Sequence, residues 1–151
     1  MLATSNAREL GYDQVLWTDA FEHRYVQEIG TMNVFFVVGN HVITPGLEQG
    51  TILDGITRDS AIVVLKEMGL DVEQRDISID EIVEVYQKGE LKEVFGTGTA
   101  AVISSIKELR YKEQVMEFNV DGWKTAPELK KRLADIKESR TEDQHNWLFK
   151  I

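Results

Sequence analysis

The stretch TMNVFFVV, residues Thr31–Val38, constrains the fold of this chain more than any other segment. Its β-branched and aromatic residues favour a strand, and its nearly continuous apolar character is typical of a strand that is covered on both faces. Gly39 and Asn40 then separate it from HVIT, a second extended segment, with the spacing of a two-residue hairpin. The chain is therefore predicted to build a sheet around this strand, with other elements packed on both sides.

Helices and further strands are predicted before and after this hairpin, without a regular alternation. Helices are predicted from Leu2 to Leu10, from Thr57 to Met68, after a capping box at Ser78-x-x-Glu81, and after a second capping box at Thr125-x-x-Glu128. Strands are predicted at Gln14–Trp17, Tyr25–Gln27, residues 71–79, Leu91–Phe95 and, with a bend, Ala101–Tyr111. The terminal DQHNWLFKI is apolar enough to be expected to pack back on the domain. The fold class that follows is mixed α/β (α+β), as one domain over residues 1–151, since this length supports one core.

Charge and composition exclude several classes of function. The formal net charge is −9, from 17 basic and 26 acidic residues, and such a surface repels nucleic acid and anionic lipid. The chain has no cysteine, which excludes disulfides and thiol nucleophiles and fits a cytoplasmic location. No apolar run approaches membrane-spanning length, and no signal peptide opens the sequence. The three histidines lack metal-ligand spacing, so no metal site is predicted.

The segment EVFGTGTAAVIS, residues 93–104, places very small residues between two β-prone runs. Glycine permits positive φ and close approach of another group, and successive backbone N–H groups in such a turn can bind an anion. Thr99 adds a hydroxyl, and Ala100 and Ala101 leave the backbone uncovered. Residues 96–101 are therefore a candidate phosphate or carboxylate site. A tight bend that needs small residues only for packing is the simpler alternative for this motif taken alone.

A second candidate anion site lies in TILDGITRDS, residues Thr51–Ser60. Gly55 stands where the loop becomes a helix, so the N–H groups of Ile56 and Thr57 would be unpaired, with the positive end of the helix dipole behind them. The alternative is ordinary capping of this helix by the side chain of Asp54 or Thr57.

Glu28 forms the third candidate, in the segment VQEIGTMN. It is a carboxylate between apolar strand residues, and a buried carboxylate needs a partner or takes up a proton. A cationic ring nitrogen on a ligand would satisfy it. A salt bridge to a nearby arginine or lysine is the alternative.

Six segments, taken in order, resemble the branched-chain amino-acid aminotransferases, which are fold type IV enzymes that use pyridoxal 5′-phosphate. They are QVLWTD, EIGTMNVFFV, TPGLEQGTILDGITRDS, RDISIDEI, EVFGTGTAAVIS and DQHNWLFKI. Together they span nearly the whole chain, and GTMN, GITR and FGTGTA in this order make a specific match. The resemblance implies the large C-terminal domain of an enzyme that transfers an amino group between leucine, isoleucine or valine and 2-oxoglutarate. It also implies a homodimer.

The same resemblance implies a role for each candidate residue. Glu28 corresponds to the glutamate that pairs with the pyridine nitrogen and keeps the ring protonated, so that the ring can accept electrons. The other implied contacts are Ile56, Thr57 and Thr99 to the cofactor phosphate, Leu53 to the ring, and the backbone of Ala100 and Ala101 to the substrate carboxylate.

The lysine that forms the Schiff base in this family precedes the part of the family that this chain matches. None of the lysines present, such as Lys66 or Lys92, corresponds to it, so no catalytic residue is assigned in this chain. The smaller N-terminal domain, with its phosphate-binding arginine, would also precede Met1, and the first predicted helix has no capping residue. We therefore expect part of a longer enzyme, inactive alone and holding the cofactor weakly at best.

Two alternatives to this function stay open. One is another fold type IV activity, namely D-amino-acid transamination or aminodeoxychorismate lyase action. The other is a non-catalytic domain that binds an anion or self-associates.

Overall fold

The computed structural model describes residues 2–100 and 102–149 and builds a sheet around the predicted central strand. The elements within these residues are α1 (Leu2–Glu9), β1 (Leu16–Thr18), β2 (Val26–Ile29), β3 (Met32–Val38), β4 (His41–Thr44), α2 (Ile56–Glu67), β5 (Asp71–Gln74), α3 (Ile79–Gln87), β6 (Leu91–Gly98), β7 (Val102–Ser105), β8 (Glu108–Tyr111), β9 (Gln114–Glu117), a short 3-10 helix (Val120–Gly122) and α4 (Thr125–Lys137). The predicted mixed α/β (α+β) class is confirmed.

Strand β3 is the centre of the sheet because it has neighbours along both edges. On one edge β6 pairs with it antiparallel along its length, and β7 continues the sheet beyond β6. The other edge is shared, since β2 pairs with the start of β3 and β4 with its end, where Phe36 faces Ile43. β1 and the parallel strand β5 lie outside β2 and β4. Between β2 and β4, the buried Thr44 hydroxyl donates to the carbonyl of Val34 at 2.8 Å, and the chain then leaves the sheet.

Both faces of β3 are covered, as its apolar sequence predicts. Phe35 and Phe36 point to opposite faces and are both 0% exposed. On the Phe35 face, α2 and α4 pack over the sheet, and the ring of Phe35 stacks on that of Phe95 with centroids 5.2 Å apart. On the other face, α3 and the β8–β9 hairpin form a second apolar layer. One end of the Phe35 face lies beneath the start of α2.

Helix α4 is not capped as the sequence predicts. Thr125 begins this helix and makes no side-chain cap, so the capping box with Glu128 is wrong. The carboxylate of Glu93, on β6, instead accepts the backbone N–H groups of Lys124, Thr125 and Ala126 at 2.7, 2.8 and 2.7 Å. A buried carboxylate satisfies three unpaired donors at once and faces the positive end of the helix dipole, which a local hydroxyl cannot match.

The strand predicted over residues 71–79 is shorter than expected. β5 ends at Gln74, which pairs with Thr44, the last residue of β4. The side chain of the next residue, Arg75, bonds the carboxylates of Glu73 and Glu81, at 2.7 Å each. Ser78 then caps α3 by accepting the N–H of Glu81 at 3.1 Å. This confirms half of the first capping box, since the carboxylate of Glu81 is held by Arg75.

The expectation that the terminal segment packs through its apolar residues is wrong for Phe149, which is 96% exposed. The contacts found there are an ion pair between His145 and Glu67, at 2.9 Å, and a stack of the His145 ring on Trp147. This segment therefore meets the end of α2 through a polar contact between side chains. Ile151 lies outside the described residues.

Asp19 holds the loop that leads into β2. It is nearly buried, and its carboxylate accepts the backbone N–H groups of Glu22 at 2.6 Å, of Arg24 and Tyr25 at 2.8 Å each, and of Phe21 at 3.2 Å. These bonds, the one from Glu22 above all, hold the pKa of the Asp19 carboxyl well below its ordinary value, because they favour the charged form. The loop is thereby fixed just before the strand that carries Glu28.

We expect Asp19→Asn to lower the free energy of unfolding at pH 7, because an amide offers one acceptor oxygen to four donors. The pKa of Asp19 is lowered on folding, so its contribution is present above the unfolded-state pKa of about 3.9 and is lost as the pH falls below it. Urea unfolding at pH 7, 5 and 3 should show the difference from wild type shrinking only below about pH 4. The exposed Asp13→Asn is the control, and a difference that persists unchanged at pH 3 would contradict this account.

We expect Glu93→Gln to destabilise the protein by about 2 kcal/mol or more, because hydrogen bonds to a charged group are lost at a buried helix start. The matched control is Glu128→Gln, which removes the exposed carboxylate that the sequence suggested as a cap and that bonds Arg132 instead. The control should cost much less, because an ion pair at the surface stabilises little. Equal destabilisation of the two variants in urea would contradict the assignment of Glu93 as the cap.

Candidate functional site

Three polar side chains form a row across one end of the sheet. Glu28 on β2 is paired directly with Asn33 on β3, and Asn33 with Thr97 on β6. Residues directly opposite one another share a face, so this row lies on the face of Phe35, which α2 covers. Asn33 and Thr97 are buried, at 6% and 1% exposure, whereas Glu28 is partly exposed. The row therefore runs from the core out to the surface.

The loop before α2 is bonded to this row through the backbone of Leu53. The N–H of Leu53 donates to Oε1 of Glu28 at 3.0 Å, and its carbonyl accepts from Nδ2 of Asn33 at 2.8 Å. A third bond to this loop joins Nε2 of Gln27 to Oγ1 of Thr51 at 2.9 Å. Across residues 2–100 and 102–149 the ion pairs leave Glu28 without a lysine or arginine partner, so the salt-bridge alternative is not found there.

Helix α2 begins at this loop without a side-chain cap. Gly55 is its N-cap, and neither Asp54 nor Thr57 caps the helix, so the alternative of ordinary capping is not found. The first N–H groups of this 12-residue helix, on Ile56 and Thr57, are thus left for another acceptor. Gly55 is required by space, because a Cβ there would lie 2.4 Å from Oδ1 of Asn33.

A buried arginine follows this helix start, and sequence reasoning missed it. Arg58 is 1% exposed, and its Nη2 donates to the carbonyl of Pro45 at 3.1 Å and to Oε1 of Gln74 at 3.0 Å. Its nearest carboxylate is that of Asp59, at 3.4 Å, on a side chain that is 60% exposed. A buried positive charge one residue after Thr57 adds to the helix dipole in favouring an anion. The signal available in the sequence was an arginine on the buried side of α2.

The glycines of the FGTGTA segment do not form the predicted turn. β6 continues through Gly98, and neither Gly96 nor Gly98 has a positive φ. A Cβ on Gly96 would lie 3.0 Å from Cε of Met32, and one on Gly98 would lie 3.1 Å from Cγ of Met32. The packing alternative is therefore correct for these two glycines, since they make room for a side chain on the neighbouring strand.

The turn itself begins at Thr99 and ends in strained backbone. Thr99 and Ala100 are exposed, and Ala101 lies outside the described residues. Val102, a β-branched residue, has a φ of 54°, in the left-handed region that such residues avoid. Because Thr97 faces Asn33, this turn follows β6 at the end of the sheet where the polar row lies. The structure thus brings Thr99 and Ala100 to the same end of the sheet as Glu28, Leu53, Ile56 and Thr57.

A groove of about 970 Å³ lies on the opposite face of the sheet, between α1 and the segment joining β7 to β8. Its lining includes Ala7, Leu10, Ile29 and Leu109. The polar row, by contrast, contains the carboxylate of Glu28 and lies beside the uncapped start of α2, which is followed by the buried Arg58. Because ligands are oriented by a few placed polar groups, the chemistry favours the polar row as the candidate site.

Three side chains that could hold a metal ion meet at the other end of β3. Nδ1 of His41 lies 3.1 Å from Oδ2 of Asp71 and 3.4 Å from Oε1 of Glu73. Sequence reasoning missed this group, since its members meet only through the parallel pairing of β4 and β5. All three side chains are at least one-third exposed, and hydrogen bonding between the imidazole and the carboxylates accounts for their arrangement.

No helix in the described part of the chain has the length and apolar character needed to cross a bilayer.

Comparison with known proteins matches this chain to one family. The amino-transferase class IV family matches residues 1–109. A probable branched-chain-amino-acid aminotransferase from Staphylococcus epidermidis is 45% identical over 152 residues, which cover 100% of this chain and 42% of that protein. The chain therefore spans about two fifths of the length of this relative.

Solved structures share the fold. The branched-chain aminotransferase of the archaeon Thermoproteus uzoniensis, solved with norvaline, superposes with a TM-score of 0.79 at 27% identity, over 98% of this chain and 45% of that one. An aminotransferase from Brucella abortus, bound to the cofactor PLP, superposes with a TM-score of 0.68 at 31% identity, over 86% of this chain and 42% of that one.

Proposed function

Because this chain belongs to the class IV amino-transferase family, we propose that it forms the cofactor-binding C-terminal domain of a branched-chain amino-acid aminotransferase. The observation that carries this proposal is the polar row of Glu28, Asn33 and Thr97 beside the uncapped start of α2. The name of the Staphylococcus epidermidis relative favours branched-chain amino acids and 2-oxo acids as substrates over the other fold type IV activities. A homodimer is part of the same proposal.

Pyridoxal 5′-phosphate, the cofactor of this family, fits the groups that these residues offer. The helix start leaves the N–H groups of Ile56 and Thr57 without a side-chain cap, which suits a phosphate. Oε1 of Glu28 accepts from Leu53, and no donor among the described residues bonds its second oxygen, which is left for a ring nitrogen. Oγ1 of Thr97 is buried without a partner among the described residues, so it is left for a water or a bound ligand.

When bound, the cofactor supplies a protonated ring that withdraws electrons from the substrate α-carbon. Glu28 would hold the proton at the ring nitrogen, because an ionised carboxylate favours the cationic form of the ring. The amides of Ile56 and Thr57 and the hydroxyl of Thr99 would fix the phosphate and so orient the ring. The side chains of Leu53 and Ile56, which are 70% and 86% exposed, would exclude water from its neighbourhood.

The remaining assignments complete the proposal. The backbone of Ala100 and Ala101 would receive the substrate carboxylate, as in the family motif that these residues match. No lysine of this chain is assigned as the covalent anchor and general base, so the whole enzyme would supply that group from elsewhere. This chain by itself would bind the cofactor weakly and would not transfer amino groups.

The test compares two ligands on single-site variants of this chain by isothermal titration. Glu28→Gln keeps an oxygen for the N–H of Leu53 but removes the charge, so it should weaken pyridoxal 5′-phosphate and leave inorganic phosphate unchanged. Thr99→Val should weaken both ligands. Each loss should be about tenfold, the effect of one hydrogen bond to a charged group.

The control for these titrations is the exposed Thr141→Val, which should bind both ligands as wild type does. Unchanged affinity in Glu28→Gln and Thr99→Val would contradict the site. Treatment with pyridoxal 5′-phosphate and borohydride is expected to label no single lysine. An adduct on one defined lysine would contradict the proposed inactivity of the chain alone.

A further inference from the structure

We propose that Asn33 is a positioning residue that holds the ring-nitrogen contact of Glu28 and the phosphate contacts at the start of α2 in one fixed arrangement. This inference rests on the proposed function, and it assigns a role to a side chain that would itself touch neither end of the cofactor. It follows from three observations about Asn33 and its neighbours.

The first observation is the place of Asn33 in the sheet. Its side chain is only 6% exposed and stands between Glu28 and Thr97, on the face covered by α2. A buried amide costs free energy unless it is hydrogen-bonded. The bond that satisfies Nδ2 runs out of the sheet to the carbonyl of Leu53. A core position of the sheet thus serves as an attachment point for the loop.

The second observation is that Leu53 is held by polar contacts. Its side chain is 70% exposed, so apolar packing does not fix this part of the loop. Its backbone N–H is bound by Glu28 and its carbonyl by Asn33, and these two side chains are cross-strand neighbours. The two bonds hold the peptide units on either side of the Cα of Leu53. If Asn33 releases the carbonyl, the backbone of Leu53 is freer to rotate, and the carboxylate of Glu28 loses the orientation that its bond to Leu53 gives it.

The third observation is the close approach of the same side chain to the helix start. Oδ1 of Asn33 occupies the space where a Cβ of Gly55 would lie, at 2.4 Å. The backbone of Gly55 has φ −77° and ψ 131°, which any residue can adopt, so glycine is needed there for space. Ile56 and Thr57 follow directly. Asn33 therefore fixes both the backbone of Leu53, whose N–H binds Glu28, and the corner that presents the phosphate-binding amides.

The experiment follows the backbone amides of Ile56 and Thr57 by ¹H–¹⁵N NMR during titration with inorganic phosphate and, separately, with pyridoxal 5′-phosphate. Asn33→Ala should weaken phosphate roughly tenfold and pyridoxal 5′-phosphate by more, because both ends of the latter lose their alignment. Gln27→Ala is the matched control. It removes another bond to the same loop, at Thr51, and should change either affinity less than twofold.

A double-mutant cycle separates positioning from a general loss of structure. Gly55→Ala should weaken phosphate about tenfold in the wild-type background, because the new methyl group must displace the Asn33 amide. In the Asn33→Ala background the same change should cost less than twofold, since the obstructing oxygen is gone. A purely structural role for Asn33 would lower stability to urea without this coupling in phosphate affinity. Gly55→Ala on its own keeps the proposal testable if Asn33→Ala does not fold.

The outcomes distinguish this inference from the proposed function. Phosphate affinity within twofold of wild type in Asn33→Ala, or an equal cost of Gly55→Ala in both backgrounds, would overturn the role of Asn33 and leave the cofactor site intact. If neither ligand shifts the amides of Ile56 and Thr57 in wild type, the proposed site fails and the role of Asn33 fails with it.

Discussion

Two hydrogen bonds to the backbone of Leu53 join the sheet to the start of α2, and the candidate site depends on them. One comes from the carboxylate of Glu28 and the other from the amide of Asn33. Without them the loop before α2 would have little to fix it, since the side chain of Leu53 is largely exposed. With them, an acidic group at one end of the sheet and the unpaired amides of a helix start are held in one arrangement.

Of the two helices on this face of the sheet, α4 has a side-chain cap at its N-terminus and α2 does not. Buried Glu93 gives α4 a carboxylate that takes three of its first N–H groups. The start of α2 has no side-chain cap and is followed by buried Arg58. Since unpaired helix donors and a buried cation both favour an anion, the start of α2 is the place where a phosphorylated ligand would complete the structure.

Local patterns predicted the elements well because they depend on neighbouring residues. The apolar run at Thr31–Val38 and the turn at Gly39 predicted the central hairpin correctly. The cap from Glu93 and the space that Gly96 leaves for Met32 were not predictable, because each joins residues far apart in the chain. The residues of the candidate site divide in the same way, into those recognised from local motifs and those recognised only from contacts between distant residues. Family resemblance pointed to Glu28 and Thr57, whereas Asn33 and Arg58 became visible only when strand register and burial were known.

The most direct measurement is a map of the backbone amides that shift when pyridoxal 5′-phosphate is added to this chain. Shifts confined to Glu28, Leu53, the start of α2 and the turn at Thr99 are predicted, with the residues around the groove beside α1 unchanged. Shifts centred on that groove, at Ala7 and Leu109, with none at Ile56 and Thr57, would contradict the assignment of the site.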